Sequence, residues 1–169
     1  MTEPIVVRRL RADEVDTSRS LRLRALQTDP IAFGSSYANE VNFPEQTWRE
    51  RAIAGARSAV QSTWVAEDPG GPLVGLVTVV RTDERFGVFG MWVDPRYRGR
   101  GVGRELLANA MRWAQQQDSG LPLWLDVNPK QAAAVRIYES LGFRRTGKSK
   151  ALEHTKGEIA MEMVRPPQG

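Results

Sequence analysis

The sequence contains no cysteine, which excludes a disulfide framework, thiol catalysis and cysteine-ligated zinc together. It has a single histidine, His154, set among Glu153, Thr155 and Lys156 in a polar stretch that reads as exposed loop. No group of His, Asp or Glu has metal-ligand spacing, so no metal is expected. No apolar run approaches the roughly 20 residues of a membrane span. The opening MTEPIVVRRL lacks the basic-then-apolar order of a secretion signal. A cytoplasmic protein with no membrane contact is therefore expected. Internal repeats and low-complexity segments are also missing.

What is present is an ordinary globular composition, with hydrophobic residues at 41% and charged residues at 26% of 169. That length suits one core, and we read residues 1–165 as a single domain and 166–169 as a short tail. Lysine and arginine outnumber acidic residues by 24 to 20, a balance that favours anionic partners without naming them. Arg19, Arg22 and Arg24 lie on one helical segment, interleaved with aliphatic rather than exposed aromatic residues. They read as a solvated face, and no nucleic-acid partner is expected.

The order of elements is informative. Ile5–Arg9 reads as a strand, Asp16–Leu26 as a helix, and the region from Ile31 to Ala56 as two short helices. Ser62–Glu67, Leu73–Arg81 and Val88–Val93 follow as three strands with short connections, which predicts an antiparallel meander. A helix from Gly103 to Ala114 then leads to a strand at Leu121–Val127, and a strand-helix-strand order demands a parallel pairing. A helix through AAAVRIYES and two closing strands, at about 143–150 and 158–164, complete an α/β fold of the α+β type. Its central sheet is mixed, mostly antiparallel, has about seven strands and is flanked by helices.

The stretch VDPRYRGRGVGREL, Val93 to Leu106, stands at the entrance of the long helix. The first amides of a helix lack intrahelical partners, and the helix dipole adds roughly half a positive charge there. Gly99, Gly101 and Gly103 permit main-chain N–H groups to converge, and Arg96, Arg98, Arg100 and Arg104 add charge. The expected ligand is a phosphate or pyrophosphate. The same residues also suit a tight strand-to-helix turn with solvated arginines. The dinucleotide pattern fails because Arg104 and Leu106 stand where a third glycine belongs, and the Walker pattern fails at Arg104 and Glu105.

Val93-Asp94-Pro95 followed by Arg98-Gly99-Arg100-Gly101-Val102-Gly103 resembles the coenzyme A pyrophosphate motif of the GNAT acetyltransferase superfamily. AAAVRIYESLGF, Ala132 to Phe143, resembles the alanine-rich, tyrosine-bearing helix of the same superfamily. The resemblance implies an N-acetyltransferase that moves acetyl from acetyl-coenzyme A to a primary amine, by direct attack through a tetrahedral intermediate. It implies that Met91, Trp92 and Val93 meet pantetheine, that backbone donors across Arg98, Gly99, Arg100, Gly101, Val102 and Gly103 take the pyrophosphate, and that Arg104 lies beside it. Tyr138 matches the tyrosine that protonates the departing thiolate.

The chain departs from the family pattern twice. Gln131 stands where the family usually has a pantetheine-contacting asparagine, with Asn128 as a substitute contact or a helix cap. The stretch FGVFG has no acid where many members carry a base, leaving a water relay or Glu40, Asp83 or Glu84, each of which reads as a surface charge. The implied partners are acetyl-coenzyme A and an amine acceptor, either a small molecule or a protein amine, with a homodimer left open. The rival reading is a non-catalytic module that binds or senses acyl-coenzyme A.

Overall fold

The computed structural model describes residues 3–168. Seven strands form one sheet: β1 (Val6–Arg9), β2 (Gln61–Glu67), β3 (Leu73–Arg81), β4 (Phe86–Val93), β5 (Leu123–Val127), β6 (Arg144–Ala151) and β7 (Ile159–Arg165), in the spatial order β1-β2-β3-β4-β5-β7-β6. Every pairing is antiparallel except β4 with β5. That parallel pair is where the sequence places a helical crossover, made by α4 (Val102–Gln117). The remaining helices are α1 (Val15–Thr28), the single-turn α2 (Tyr37–Glu40), α3 (Glu45–Arg57) and α5 (Ala132–Ser140).

The middle of the sheet is buried on both faces, which explains why β3 reads as the nearly continuous apolar run LVGLVTVV. Leu21, Ala25 and Leu26 of α1 pack with Val65, Leu76 and Trp92 on one face. On the other face Leu106, Leu107 and Ala110 of α4 pack with Val77, Val79, Leu125 and Phe143. Each large side chain removed from water in this way contributes about 1.5–3 kcal/mol before entropy is set against it. The flanking residues Val65 and Ala66 serve opposite faces, as the two-residue period of a strand requires.

Two irregularities open the sheet. Leu76 faces Trp92 while Thr78 faces Phe89, so Val77 on β3 opposes both Gly90 and Met91 on β4. This is a β-bulge, and Gly90 takes a φ of +63°, a conformation that costs glycine little and other residues more. The pairing of β4 with β5 is the second irregularity. It covers only Phe86 with Leu123 and Gly87 with Trp124, after which the two strands diverge. The rest of β4 therefore carries a main-chain edge with no ladder partner on its β5 side, and the bulge falls within that stretch.

Candidate active site

The divergence of β4 from β5 leads into a cavity of about 860 Å³. One wall is the end of β4, Met91 to Val93; another is the loop and first turn of α4; a third is α5 with the turn before it. The first intrahelical bond of α4 runs from Glu105 N to Gly101 O at 3.0 Å, so the amides of Val102, Gly103 and Arg104 have no partner within the helix. All three residues line the cavity. Gly99 and Gly101 have φ of +77° and +78°, and a Cβ on either would meet nothing within 4 Å. These two glycines are required by backbone conformation, which turns the chain into the helix. Gly103 has a different reason: a Cβ there would lie 3.2 Å from Met91 Cε and 3.3 Å from Ile137 Cδ1. It lets α4 press against β4 and α5.

Ten of the eleven residues that the family resemblance implies for the coenzyme lie in this wall: Met91, Trp92, Val93, Arg98, Gly99, Gly101, Val102, Gly103, Arg104 and Gln131. Arg100 does not. Its guanidinium donates to Arg96 O at 3.3 Å and lies 5.4 Å from the ring of Tyr97, itself a wall residue. Arg96 is also outside the wall, held by the Asp94 carboxylate at 3.0 Å. The cationic side chains in the wall are Arg98, Arg104, Lys130 and Arg136, with Lys130 paired to Glu158 at 2.5 Å.

Tyr138 lies elsewhere on α5. Ala133, Ile137 and Ser140 form the face of α5 turned to the cavity, while Val135 and Tyr138 form the buried face. The Tyr138 ring packs edge-on against Phe143, with centroids 6.0 Å apart, and burial pushes its phenol well above the ordinary tyrosine value. Asn128 is committed to the turn ahead of α5: its amide nitrogen donates to Glu158 at 2.8 Å and its oxygen accepts from Lys130 N at 2.9 Å. Gln131, and not Asn128, is therefore the amide side chain in the cavity wall.

Asp29 is a wall residue that sequence reasoning missed. Its Oδ2 accepts from Trp92 Nε1 and from Arg98 Nη2, each at 2.6 Å, while Arg98 Nε donates to Val93 O at 2.8 Å. This carboxylate ties the end of α1 to β4 and to the helix-entrance loop. The available signal was an acid directly before Pro30, at the stop of a helix. Ala133, Arg136 and Ser140 were also missed, although their spacing of three to four residues marks one helical face.

A second cavity, of about 250 Å³, lies beside the β4 bulge and includes Phe89 and Gly90 in its lining. Beneath it Glu40 is 1% exposed, which overturns the reading of that residue as a surface charge. Burial works against its charge, but Arg22 and Arg51 outweigh burial and hold the carboxyl below its ordinary value. Arg22 Nε and Nη2 donate to it at 3.0 and 2.8 Å, and Arg51 Nη1 at 3.0 Å. Arg22 is thus not part of a solvated face. Arg24, 42% exposed, keeps solvent contact while donating to Leu73 O at 3.2 Å. Asp83 and Glu84 are exposed, as is His154.

The family model described as "Acetyltransferase (GNAT) family" matches residues 23–143, and the chain belongs to that family. It is similar to N-alpha-acetyltransferase RimI of Mycobacterium tuberculosis, with 30% identity over 125 residues that cover 72% of this chain and 77% of the relative. Among solved structures, a GNAT-family acetyltransferase from Streptococcus pneumoniae superposes with a TM-score of 0.81 at 22% identity, covering 98% of this chain and 100% of the other. Salmonella typhimurium yncA, solved with its cofactor acetyl-CoA, gives a TM-score of 0.78 at 16% identity over 99% and 96% of the two chains. Family membership makes this chain an N-acetyltransferase. Among the described residues no helix is long and apolar enough to cross a membrane, and no group of acidic or histidine side chains could hold a metal ion.

Proposed function

We propose that the larger cavity binds acetyl-coenzyme A and that the chain passes the acetyl group directly to a primary amine, with no acyl-enzyme. The observation that carries this reading is the convergence of three unpartnered helix amides, two left-handed glycines and the unpaired edge of β4 on one cavity. A diphosphate suits the first two features: the donors are main-chain groups fixed by the helix, and they cost no side-chain entropy to order. The exposed guanidinium groups of Arg104 and Arg136 supply further charge of the right sign. An extended amide-containing arm suits the β5-side edge of β4, which has no ladder partner beyond Gly87, although Val93 O on that stretch is already taken by Arg98 Nε. Main-chain donors fixed in place before reaction also stabilise negative charge developing on a carbonyl oxygen.

When bound, the thioester supplies an acetyl group already activated toward an amine. In this reading Tyr138 gives a proton to the departing sulfur; its raised phenol stays protonated throughout the neutral range. Its ring lies on the buried face of α5, next in sequence to the Ile137 that lines the cavity.

Isothermal titration with acetyl-coenzyme A tests the donor site. We expect saturable heat that free coenzyme A competes away, followed by thiol release when an amine is added. No heat at millimolar coenzyme would overturn the assignment of this cavity.

A further inference from the structure

We propose that the smaller cavity is the acceptor site and that it selects a small amine carrying its own carboxylate, that is, a free amino acid with an apolar side chain. This inference rests on the larger cavity holding the acetyl donor. Phe89 and Gly90 line the smaller cavity and the next residues, Met91 to Val93, line the larger one, so a single bulged strand separates the two. An acceptor in the smaller cavity stands across that bulge from the donor.

Charge identifies the ligand. Arg22 and Arg51 line the smaller cavity, and no carboxylate does among the described residues. The one anion nearby, Glu40, is buried behind the two arginines and occupies Nε and Nη2 of Arg22 and Nη1 of Arg51. Two positive charges against one leave the wall with a net positive charge. Arg22 Nη1 is not engaged by Glu40, and it reaches the bulge: a Cβ on Gly90 would lie 3.0 Å from it. A guanidinium nitrogen left free in this way calls for an acceptor-only group, and a carboxylate is the acceptor-only anion common on small amines.

The remainder of the lining sets the rest of the molecule. Leu10, Ala52, Leu76, Val80 and Phe89 give it an apolar side, which suits an aliphatic or aromatic side chain. At about 250 Å³ the cavity is below the ~300–1,000 Å³ typical of drug-sized ligands, which fits an amino acid. The two arginines also disfavour a protonated amine, so a ligand held there loses its proton more readily although no carboxylate base lines the cavity. The ammonium form first loses one proton to water; the nitrogen then gains the acetyl group as the thioester C–S bond breaks, its second proton leaves for water, and the departing sulfur takes the Tyr138 proton, which water restores. Polyamines, with several positive charges, are repelled by the same wall.

Thiol release with acetyl-coenzyme A, measured for L-leucine, L-leucinamide and spermidine, is the first arm of the test. L-Leucine should exceed its amide in kcat/KM by about 30-fold, the scale of a charge-assisted hydrogen-bonded pair, and spermidine by more. Arg51→Ala should raise KM for L-leucine about tenfold and leave KM for acetyl-coenzyme A within twofold. Arg22→Lys, which keeps a charge for Glu40 and so protects the fold, should raise the L-leucine KM by a similar factor. The second arm is titration of L-leucine and L-leucinamide into the enzyme without coenzyme, where only the acid should bind. Equal or better use of the amide or of spermidine, or unchanged leucine KM in both variants, overturns the proposal. If acetyl-coenzyme A binds but no amino acid binds or reacts, the acceptor assignment fails and the donor site stands; if acetyl-coenzyme A itself gives no heat, both fail.

Discussion

The two cavities flanking the β4 bulge are built from different materials. The larger is walled mainly by consecutive residues: the end of β4, the helix-entrance loop and first turn of α4, and one face of α5. Its donors are main-chain amides whose direction follows from helix geometry. The smaller is assembled from side chains of α1, α3, β2, β3 and β4, and its charge depends on Glu40, which none of those elements contributes. A site made of backbone resists side-chain change, and one made of side chains can be altered residue by residue. An enzyme that keeps one acyl donor while changing acceptors needs such a division.

Glu40→Ala should expose that difference with the largest effect. It leaves Arg22, part-buried, with no counter-charge, and breaking a buried pair by removing one partner costs about 3–5 kcal/mol. For a chain of this length the melting temperature should fall by about 10 °C. Affinity for acetyl-coenzyme A, measured below that temperature, should change by less than about twofold, because no residue of the Glu40 network lines the larger cavity. A parallel loss of coenzyme affinity would show that the two cavities are one mechanical unit. The pH dependence follows from the same pair. Since the arginines hold the folded Glu40 carboxyl below its unfolded value of about 4.3, its contribution is complete above that pH and is lost as pH falls through the depressed folded value. Glu40→Gln should therefore flatten the acid limb of the stability curve and leave neutral to alkaline behaviour parallel to the parent.

Tyr138 tests how far the chemistry of the larger cavity extends beneath its wall. Tyr138→Phe keeps the edge-on contact with Phe143 and removes only the hydroxyl. As general acid the residue is worth roughly 100-fold in kcat, at the lower end for positioned proton transfer, with coenzyme affinity within twofold and melting temperature within about 3 °C. A kcat within threefold of the parent would assign the phenol to core packing alone.

The contrast also explains what could be read from the sequence. β3, Leu73 to Arg81, is placed to the residue, and α4 and β7 to within a few residues, because burial on one or two faces writes its period into consecutive positions. The helix-entrance donors were legible for the same reason: Gly99 to Arg104 are adjacent in the chain and adjacent in space. Arg22, Arg51 and Glu40 are not. Each looks like an exposed charge on its own segment, and only the packing of α1, α2 and α3 brings both arginines within 3.0 Å of the Glu40 carboxylate. Tyr138 shows the converse limit, since one helical period groups Ala134, Ile137 and Tyr138 together while the structure turns Ile137 to the cavity and Tyr138 to the core.

Within the larger cavity, Gly101 and Gly103 offer the finest comparison, because the same change should act by different physics two residues apart. Gly101→Ala places a Cβ in open space but at φ of +78°, where a non-glycine residue pays about 1–2 kcal/mol. Relaxing that strain would turn the loop and re-aim the amides of the first turn, so coenzyme affinity should fall about tenfold. Gly103→Ala meets Met91 Cε at 3.2 Å and Ile137 Cδ1 at 3.3 Å, both at the ends of side chains that can yield by a few tenths of an ångström. Alanine is favoured over glycine in a helix by about 1 kcal/mol, which offsets that crowding and leaves stability nearly unchanged. Coenzyme affinity should then stay within about threefold by titration calorimetry. If Gly103→Ala weakened binding as much as Gly101→Ala, the space around α4 would govern the site, and the direction of its amides would not.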